Sequence, residues 1–147
     1  MSVSTDRIGI PAMRAASLLA AVEPRVTLDG AGVVVEVYPA AGLRRWGFPS
    51  RRYKGPDYVA ERRTLVSSLA DQSAGWLSFP ESERTACEKS DDAFDALIAA
   101  LIARAASVGM VDPIPEEDRA AALREGWIAL PLEGSFGELG TPRESAL

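Results

Sequence analysis

Three acidic side chains occur where the sequence is otherwise apolar. Glu36 lies in the valine-rich run VVVEVYP, which predicts a β-strand, and Asp92 and Asp95 lie near the start of SDDAFDALIAALIARAASV, which has helical periodicity. A carboxylate inside an apolar element loses its hydration, so it needs a partner such as a cation or a metal ion. Glu36, Asp92 and Asp95 are therefore the first candidates for chemistry.

Each of these acids has an alternative, structural explanation. Ser90 is a good helix N-cap, and acids in the first turn, such as Asp91 and Asp92, interact favourably with the helix dipole. Glu36 is solvated if its strand lies at a sheet edge. Asp95 is harder to explain in this way, because it lies beyond the first N-terminal donors of the helix.

The scarcity of sulfur and imidazole ligands limits the kinds of site that are possible. The chain has one cysteine, Cys87, and no histidine, which excludes an internal disulfide, a His/Cys zinc site and a histidine-dependent triad. Any metal site must use oxygen ligands, which favours magnesium, manganese or calcium. We expect Cys87 to be an unreactive thiol.

The charge distribution is uneven. The formal net charge of the chain is -5, which argues against a protein that coats nucleic acid through bulk charge. Basic residues nevertheless concentrate between positions 44 and 63, where seven of them oppose Asp57 and Glu61: Arg44, Arg45, Arg51, Arg52, Lys54, Arg62 and Arg63. Such a patch can hold a phosphate backbone, and the alternative is a solvated loop.

The periodicity predicts an α/β domain over residues 1–147 with a flexible tail over 133–147. A strand is predicted over 33–38, covered on both faces, and a loop with one short helical turn over 71–89. The helix over 90–108 has a bulky apolar face and a face of alanines, so we expect it to be buried between two layers. Neither a signal peptide nor a membrane-spanning stretch is recognisable, which predicts a cytoplasmic protein without a membrane partner.

Four blocks of the sequence resemble a family of predicted nucleases with an RNase H-like fold, domain of unknown function 429. The blocks are, in order, VEVYPAAGLRRWG, RYKG, DDAFDALIAALIARA and EGWIALP. The resemblance runs from about Val33 to Pro131 and concerns the C-terminal half of the family. It implies a partial RNase H-like fold, in which a remnant of a sheet with few strands is flanked by helices.

The resemblance also implies a site. Glu36 matches the family's strand glutamate, and Asp92 and Asp95 match its helix pair, so these three would be the catalytic and metal-binding residues. The implied chemistry is hydrolysis of a phosphodiester by two Mg²⁺ or Mn²⁺ ions about 4 Å apart, which activate a water and stabilise the leaving oxygen. The basic side chains that would bind the substrate are Lys54, Arg51 and Arg52.

The family pattern begins with strands that carry an early aspartate, and no counterpart is recognisable before Glu36. We therefore expect a fragment, a shortened gene product, or a second chain that completes the sheet. The hypotheses are a metal-dependent nuclease or its truncated remnant, and a non-catalytic domain that retains the fold and binds nucleic acid or protein. Hydrolysis of another phosphorylated compound is a third possibility.

Overall fold

The computed structural model describes residues 9–22 and 26–141, and helices make up most of this part of the chain. The helices and strands are, in chain order, α1 (Ile10–Ala20), β1 (Glu36–Val37), α2 (Pro39–Arg45), α3 (Val59–Ser73), α4 (Glu81–Lys89), α5 (Asp91–Ser107), α6 (Arg119–Glu125) and β2 (Ile128–Ala129). Short 3₁₀ helices cover Pro56–Tyr58, Glu116–Asp118 and Ser135–Gly140. Because β1 and β2 pair in a two-stranded parallel sheet, the α/β class is confirmed in a mostly helical form.

The chain divides into two compact units. The first comprises Met1–Glu36 and Pro115–Trp127, and the second comprises Val37–Ile114 and Ile128–Leu147. The second unit therefore contains α2 to α5 and the 3₁₀ helix Ser135–Gly140. In the described ranges, no helix is both long enough and apolar enough to cross a bilayer.

Helix α5 begins and ends where the apolar periodicity predicts. The Ser90 hydroxyl accepts a hydrogen bond from the Ala93 N–H at 3.2 Å, which confirms its role as the N-cap. The bulky face is buried, through Phe94, Ile98, Leu101, Ile102 and Ala105. The prediction that both faces are buried is wrong, since Ala96 and Ala103 on the small-residue face are exposed. Alanine methyl groups supply too little apolar area to favour a second covering layer.

Helices α2 and α5 approach each other most closely at Gly42. A Cβ atom built on Gly42 would lie 2.5 Å from Ile102 Cδ1 and 2.9 Å from Ile102 Cγ1, which is far inside van der Waals contact. Both residues are buried. The missing side chain of Gly42 thus makes room for Ile102 and sets the distance between the two helices.

Phe136 is the centre of an aromatic cluster in the second unit. Its ring centroid lies 5.3 Å from that of Trp46, 5.0 Å from that of Phe48 and 5.4 Å from that of Trp76. The sequence predicts a flexible tail from residue 133, whereas Phe136 and Leu139 are buried in the 3₁₀ helix Ser135–Gly140. The burial of these two side chains orders this part of the predicted tail. Residues 142–147 lie outside the described range.

The predicted strand over 33–38 is wrong in its extent. The strand is confined to Glu36–Val37, and the side chain of Val33 is 66% exposed. A valine run has β propensity, but a strand exists only where a partner supplies backbone hydrogen bonds, and β2 is only two residues long. The prediction of a loop over 71–89 is also wrong, because α4 occupies nine of these residues.

Candidate functional site

The loop between α2 and α3 carries the largest group of exposed cationic side chains in the predicted basic patch. We call residues 50–55 (Ser50, Arg51, Arg52, Tyr53, Lys54 and Gly55) the basic loop. Arg51, Arg52 and Lys54 are exposed, whereas Tyr53 is only 2% exposed. The loop is therefore anchored through its tyrosine and presents its charges to solvent.

The side chain of Arg62, in α3, is hydrogen-bonded to the backbone of the basic loop. Its side chain is 2% exposed, and its Nη1 donates hydrogen bonds to the carbonyl oxygens of Tyr53 at 2.6 Å and Gly55 at 3.3 Å. Its Nε donates to the carbonyl of Glu88 at 3.0 Å, and its Nη2 donates to that of Lys89 at 3.3 Å. Glu88 and Lys89 end α4, where the helix dipole is negative, so the buried guanidinium is compensated there. Arg62 thereby ties the basic loop to the end of α4.

The first turn of α5 fixes the end of the basic loop. The Asp91 Oδ2 atom accepts a hydrogen bond from the Gly55 N–H at 2.8 Å. This bond lowers the pKa of Asp91 below its ordinary value, and the charge of Arg62 acts in the same direction. Gly55 has φ of 86°, a conformation that side chains other than hydrogen disfavour. Asp91 is a first-turn acid of α5, as the sequence predicts, and it also binds a loop 36 residues earlier in the chain.

Asp95 lies beside the basic loop, one turn further along α5. Its Oδ1 accepts a hydrogen bond from the Tyr53 hydroxyl at 2.9 Å, and its Oδ2 accepts one from Lys54 Nζ at 2.5 Å. The Tyr53 ring packs edge-to-face on Phe94 with centroids 5.5 Å apart. Burial, followed by the contact with Asp95, raises the pKa of Tyr53, so its hydroxyl stays protonated as a donor at neutral pH.

The described side chains do not form a metal centre. Both carboxylate oxygens of Asp95 already accept hydrogen bonds from protein donors, and Asp92 is exposed. Glu36 belongs to the first unit, where its Oε2 lies 2.9 Å from the position that a Cβ atom would take on Gly126. Within residues 9–22 and 26–141, no group of three or more acidic or cysteine side chains is arranged to hold a metal ion.

The basic loop forms one wall of a surface cleft with a volume of about 420 Å³. All of its lining residues belong to the second unit: Tyr38, Ala40, Ser50, Arg51, Arg52, Tyr53, Lys54 and Tyr58. A smaller hollow of about 220 Å³ shares Tyr38, Ser50 and Arg51 with the cleft and adds Arg44. The three residues predicted to bind substrate, Lys54, Arg51 and Arg52, thus line the same cleft.

The cationic side chains of the cleft differ in whether they form an ion pair. Lys54 is paired with Asp95, whereas neither Arg51 nor Arg52 makes an ion pair within the part of the chain that the structure describes. Arg52 has φ of 56°, in the left-handed region that is uncommon for residues other than glycine. Backbone strain of this kind costs on the order of 1 kcal/mol, and such strain clusters at functional sites.

The remaining basic residues of the patch have structural roles. Arg45 forms ion pairs with Asp112 and Glu133, and Arg63 pairs with Glu88 at 3.0 Å. Arg62 is buried, whereas Arg63 stays exposed although its charge is paired. Within the described residues, the exposed cations of the patch that make no ion pair are therefore Arg44, Arg51 and Arg52.

From the sequence, Arg62 and Asp91 could be named, but not the contacts that they and Tyr53 make with the site. Tyr53 and Asp91 hold the basic loop against α5, and Arg62 holds it against α3 and α4. A signal for Arg62 was present, because it falls on the apolar stripe of α3 with Leu65 and Leu69. No feature of the neighbouring sequence predicts the hydrogen bond between Gly55 and Asp91.

These features define a mostly helical α/β protein whose second unit carries a basic, tyrosine-lined surface cleft. The chain belongs to the DUF429 family: the family model described as "Protein of unknown function (DUF429)" matches residues 5–120. The match begins upstream of Val33 and ends before Pro131, so its limits differ from those of the resemblance in the sequence. No curated protein and no solved structure matches the chain.

Proposed function

We propose that this chain binds the phosphate groups of a nucleic acid in the cleft of the basic loop. One observation carries the proposal: Arg51, Arg52 and Lys54 line a single cleft of about 420 Å³, and buried Arg62 holds the loop that bears them. Guanidinium groups match phosphate oxygens through paired N–H donors. Small-molecule sites typically have volumes of about 300–1,000 Å³, so the cleft has the size of a ligand site.

The negative net charge of the chain is consistent with the binding of a polyanion at a single site, the cleft. The net charge is -5, so a polyanion is repelled by most of the surface and attracted where cations are concentrated. Each phosphate contact made by a cation releases condensed counterions, so the affinity falls as salt rises. A cleft with three cations therefore predicts a shallow but measurable salt dependence.

Fluorescence anisotropy with a labelled DNA oligonucleotide, titrated at several salt concentrations, tests this function. We expect R51Q and R52Q each to weaken binding and to reduce the salt slope by about 0.7–0.9. R124Q, an equal charge change at an exposed residue of α6, is the matched control and should change the slope least. Equal effects of all three variants would show that binding depends on overall charge and would refute a site in the cleft.

The second candidate function is metal-dependent hydrolysis of a phosphodiester, with an RNase H-like fold, in the cytoplasm. The observation that favours it is the Asp95 carboxylate, which contacts Lys54 at the cleft. The proposed catalytic residues are Glu36, Asp92 and Asp95, with Mg²⁺ or Mn²⁺ as cofactor and a second chain to complete the sheet. Asp95 would first have to give up its bonds to Tyr53 and Lys54.

The D95N variant separates the two candidates. A nuclease should cleave a labelled oligonucleotide with Mg²⁺ or Mn²⁺, and D95N and a chelator should each abolish cleavage. A binding domain should show no cleavage, and D95N should raise its affinity up to about fivefold, because Lys54 loses its partner and the cleft loses a negative charge. D71N, which neutralises an exposed acid on α3, is the matched control and should change neither readout.

A further inference from the structure

We infer that the cleft selects single-stranded over double-stranded nucleic acid, by stacking an unpaired base on the ring of Tyr38. This inference rests on the proposed binding of phosphate groups in the same cleft. It adds to that proposal the kind of nucleic acid that is bound and the residue that distinguishes it. Phosphate recognition alone supplies no such choice, because single strands and duplexes both carry phosphates.

Tyr38 has an unusual environment for an aromatic side chain. It is 55% exposed, more than any other aromatic residue in the described part of the chain. The neighbouring Tyr53 is 2% exposed, and the rings around Phe136 are packed together. The Tyr38 side chain is therefore accessible to a ligand in a way that the packed rings are not.

The exposed ring shares its cleft with the cations that would hold a phosphate. Tyr38 lines the 420 Å³ cleft together with Arg51, Arg52 and Lys54, and it also lines the adjoining hollow with Arg44. The half-buried Tyr58 belongs to the lining of the same cleft. Aromatic rings beside cationic groups are the combination with which proteins bind single strands, because every base has a face that stacks.

Duplex DNA is bound less well than a single strand by an aromatic ring beside cationic groups. Its bases are already stacked and paired, so a ring on the protein reaches them only after a base has been displaced, which costs a few kcal/mol. A single strand offers bases without that cost. The cleft should therefore gain affinity from the base only when the strand is unpaired.

Three probes of equal length test the inference by anisotropy: labelled oligodeoxythymidylate, an abasic oligomer with the same phosphates, and a duplex. We expect the wild-type protein to bind the thymidylate at least about fivefold more tightly than either other probe. Y38S should lose this preference while retaining the weaker affinity for the abasic oligomer, and Y38F should retain the preference because it keeps the ring. L123S, which removes an exposed apolar side chain on α6, is the control and should retain it too.

We expect Y38S to keep its fold, since Tyr38 is the N-cap of α2 and serine is a favoured residue there. Equal affinity for thymidylate and duplex, with R51Q weakening both, would overturn the inference and leave phosphate binding in place. Retention of the preference by Y38S would also overturn it. Failure of all three probes to bind would refute both the inference and the proposed function.

Discussion

Arg62 and Tyr53 are joined by a hydrogen bond of 2.6 Å from the buried guanidinium to the tyrosine carbonyl. Three further carbonyl oxygens, of Gly55, Glu88 and Lys89, accept from the same side chain. The buried Arg62 thus helps, together with Asp91 and Asp95, to fix the backbone of the loop whose exposed cations line the cleft. The buried charge of Arg62 therefore contributes to the placement of the exposed charges of the basic loop.

Replacement of Arg62 should destabilise the protein more than replacement of the arginine beside it. R62M removes the donor from four carbonyl oxygens, and we expect it to lower the free energy of unfolding by at least about 3 kcal/mol. R63M removes one exposed ion pair and should cost no more than about 1 kcal/mol. Urea denaturation followed by circular dichroism measures both values, and similar losses in the two variants would contradict the role given to Arg62.

The close approach of α2 to α5 predicts that a single added methyl group is harmful. G42A places a Cβ atom 2.5 Å from Ile102 Cδ1, so we expect a loss of about 1–3 kcal/mol despite the better helix propensity of alanine. The variant I102V, which removes the Cδ1 atom, should itself cost about 0.5–1.5 kcal/mol.

The double variant G42A/I102V should lose less stability than the sum of the two single variants, because the methyl group then fills the space that Cδ1 occupied. Thermal and urea denaturation of all four proteins in one double-mutant cycle measure this coupling. Strict additivity would show that the contact between Gly42 and Ile102 does not set the helix spacing.

The bond between Asp91 and Gly55 predicts a stability difference that depends on pH. Since the pKa of Asp91 is lowered in the folded state, its contribution is fully present above the ordinary aspartate pKa of about 4 and is lost as the pH falls through the lower, folded value. D91N does not titrate. It should therefore be less stable than wild type at neutral pH, and the gap should narrow in acid.

Free energies of unfolding of wild type and D91N, measured in urea from neutral pH to below pH 4, test this sign. D92N is the matched control, because Asp92 is exposed and, in the described part of the chain, it is Asp91 and not Asp92 that bonds to the loop. A gap between wild type and D91N that stayed constant over the whole range would show that the Gly55 N–H does not favour the charged form of Asp91.

Much of the helical structure could be predicted because helices depend on local contacts. The α5 bounds followed from apolar residues three and four apart and from the Ser90 cap. The prediction of a strand from Val33 was wrong because strands depend on contacts between residues that are distant in the sequence. Its valines have the right propensity, but a strand is completed by a distant partner, and β2 pairs with only Glu36–Val37.

By itself, the sequence determined the residue types of the site: cations concentrated between positions 44 and 63, oxygen ligands only, and acids at the start of α5. Only the tertiary structure decided which of them meet. Asp95 meets Tyr53 from 42 residues away, and Arg62 meets Glu88 from 26 residues away. Such bonds depend on how α3, α4 and α5 pack against one another, and the periodicity of the sequence does not predict that packing.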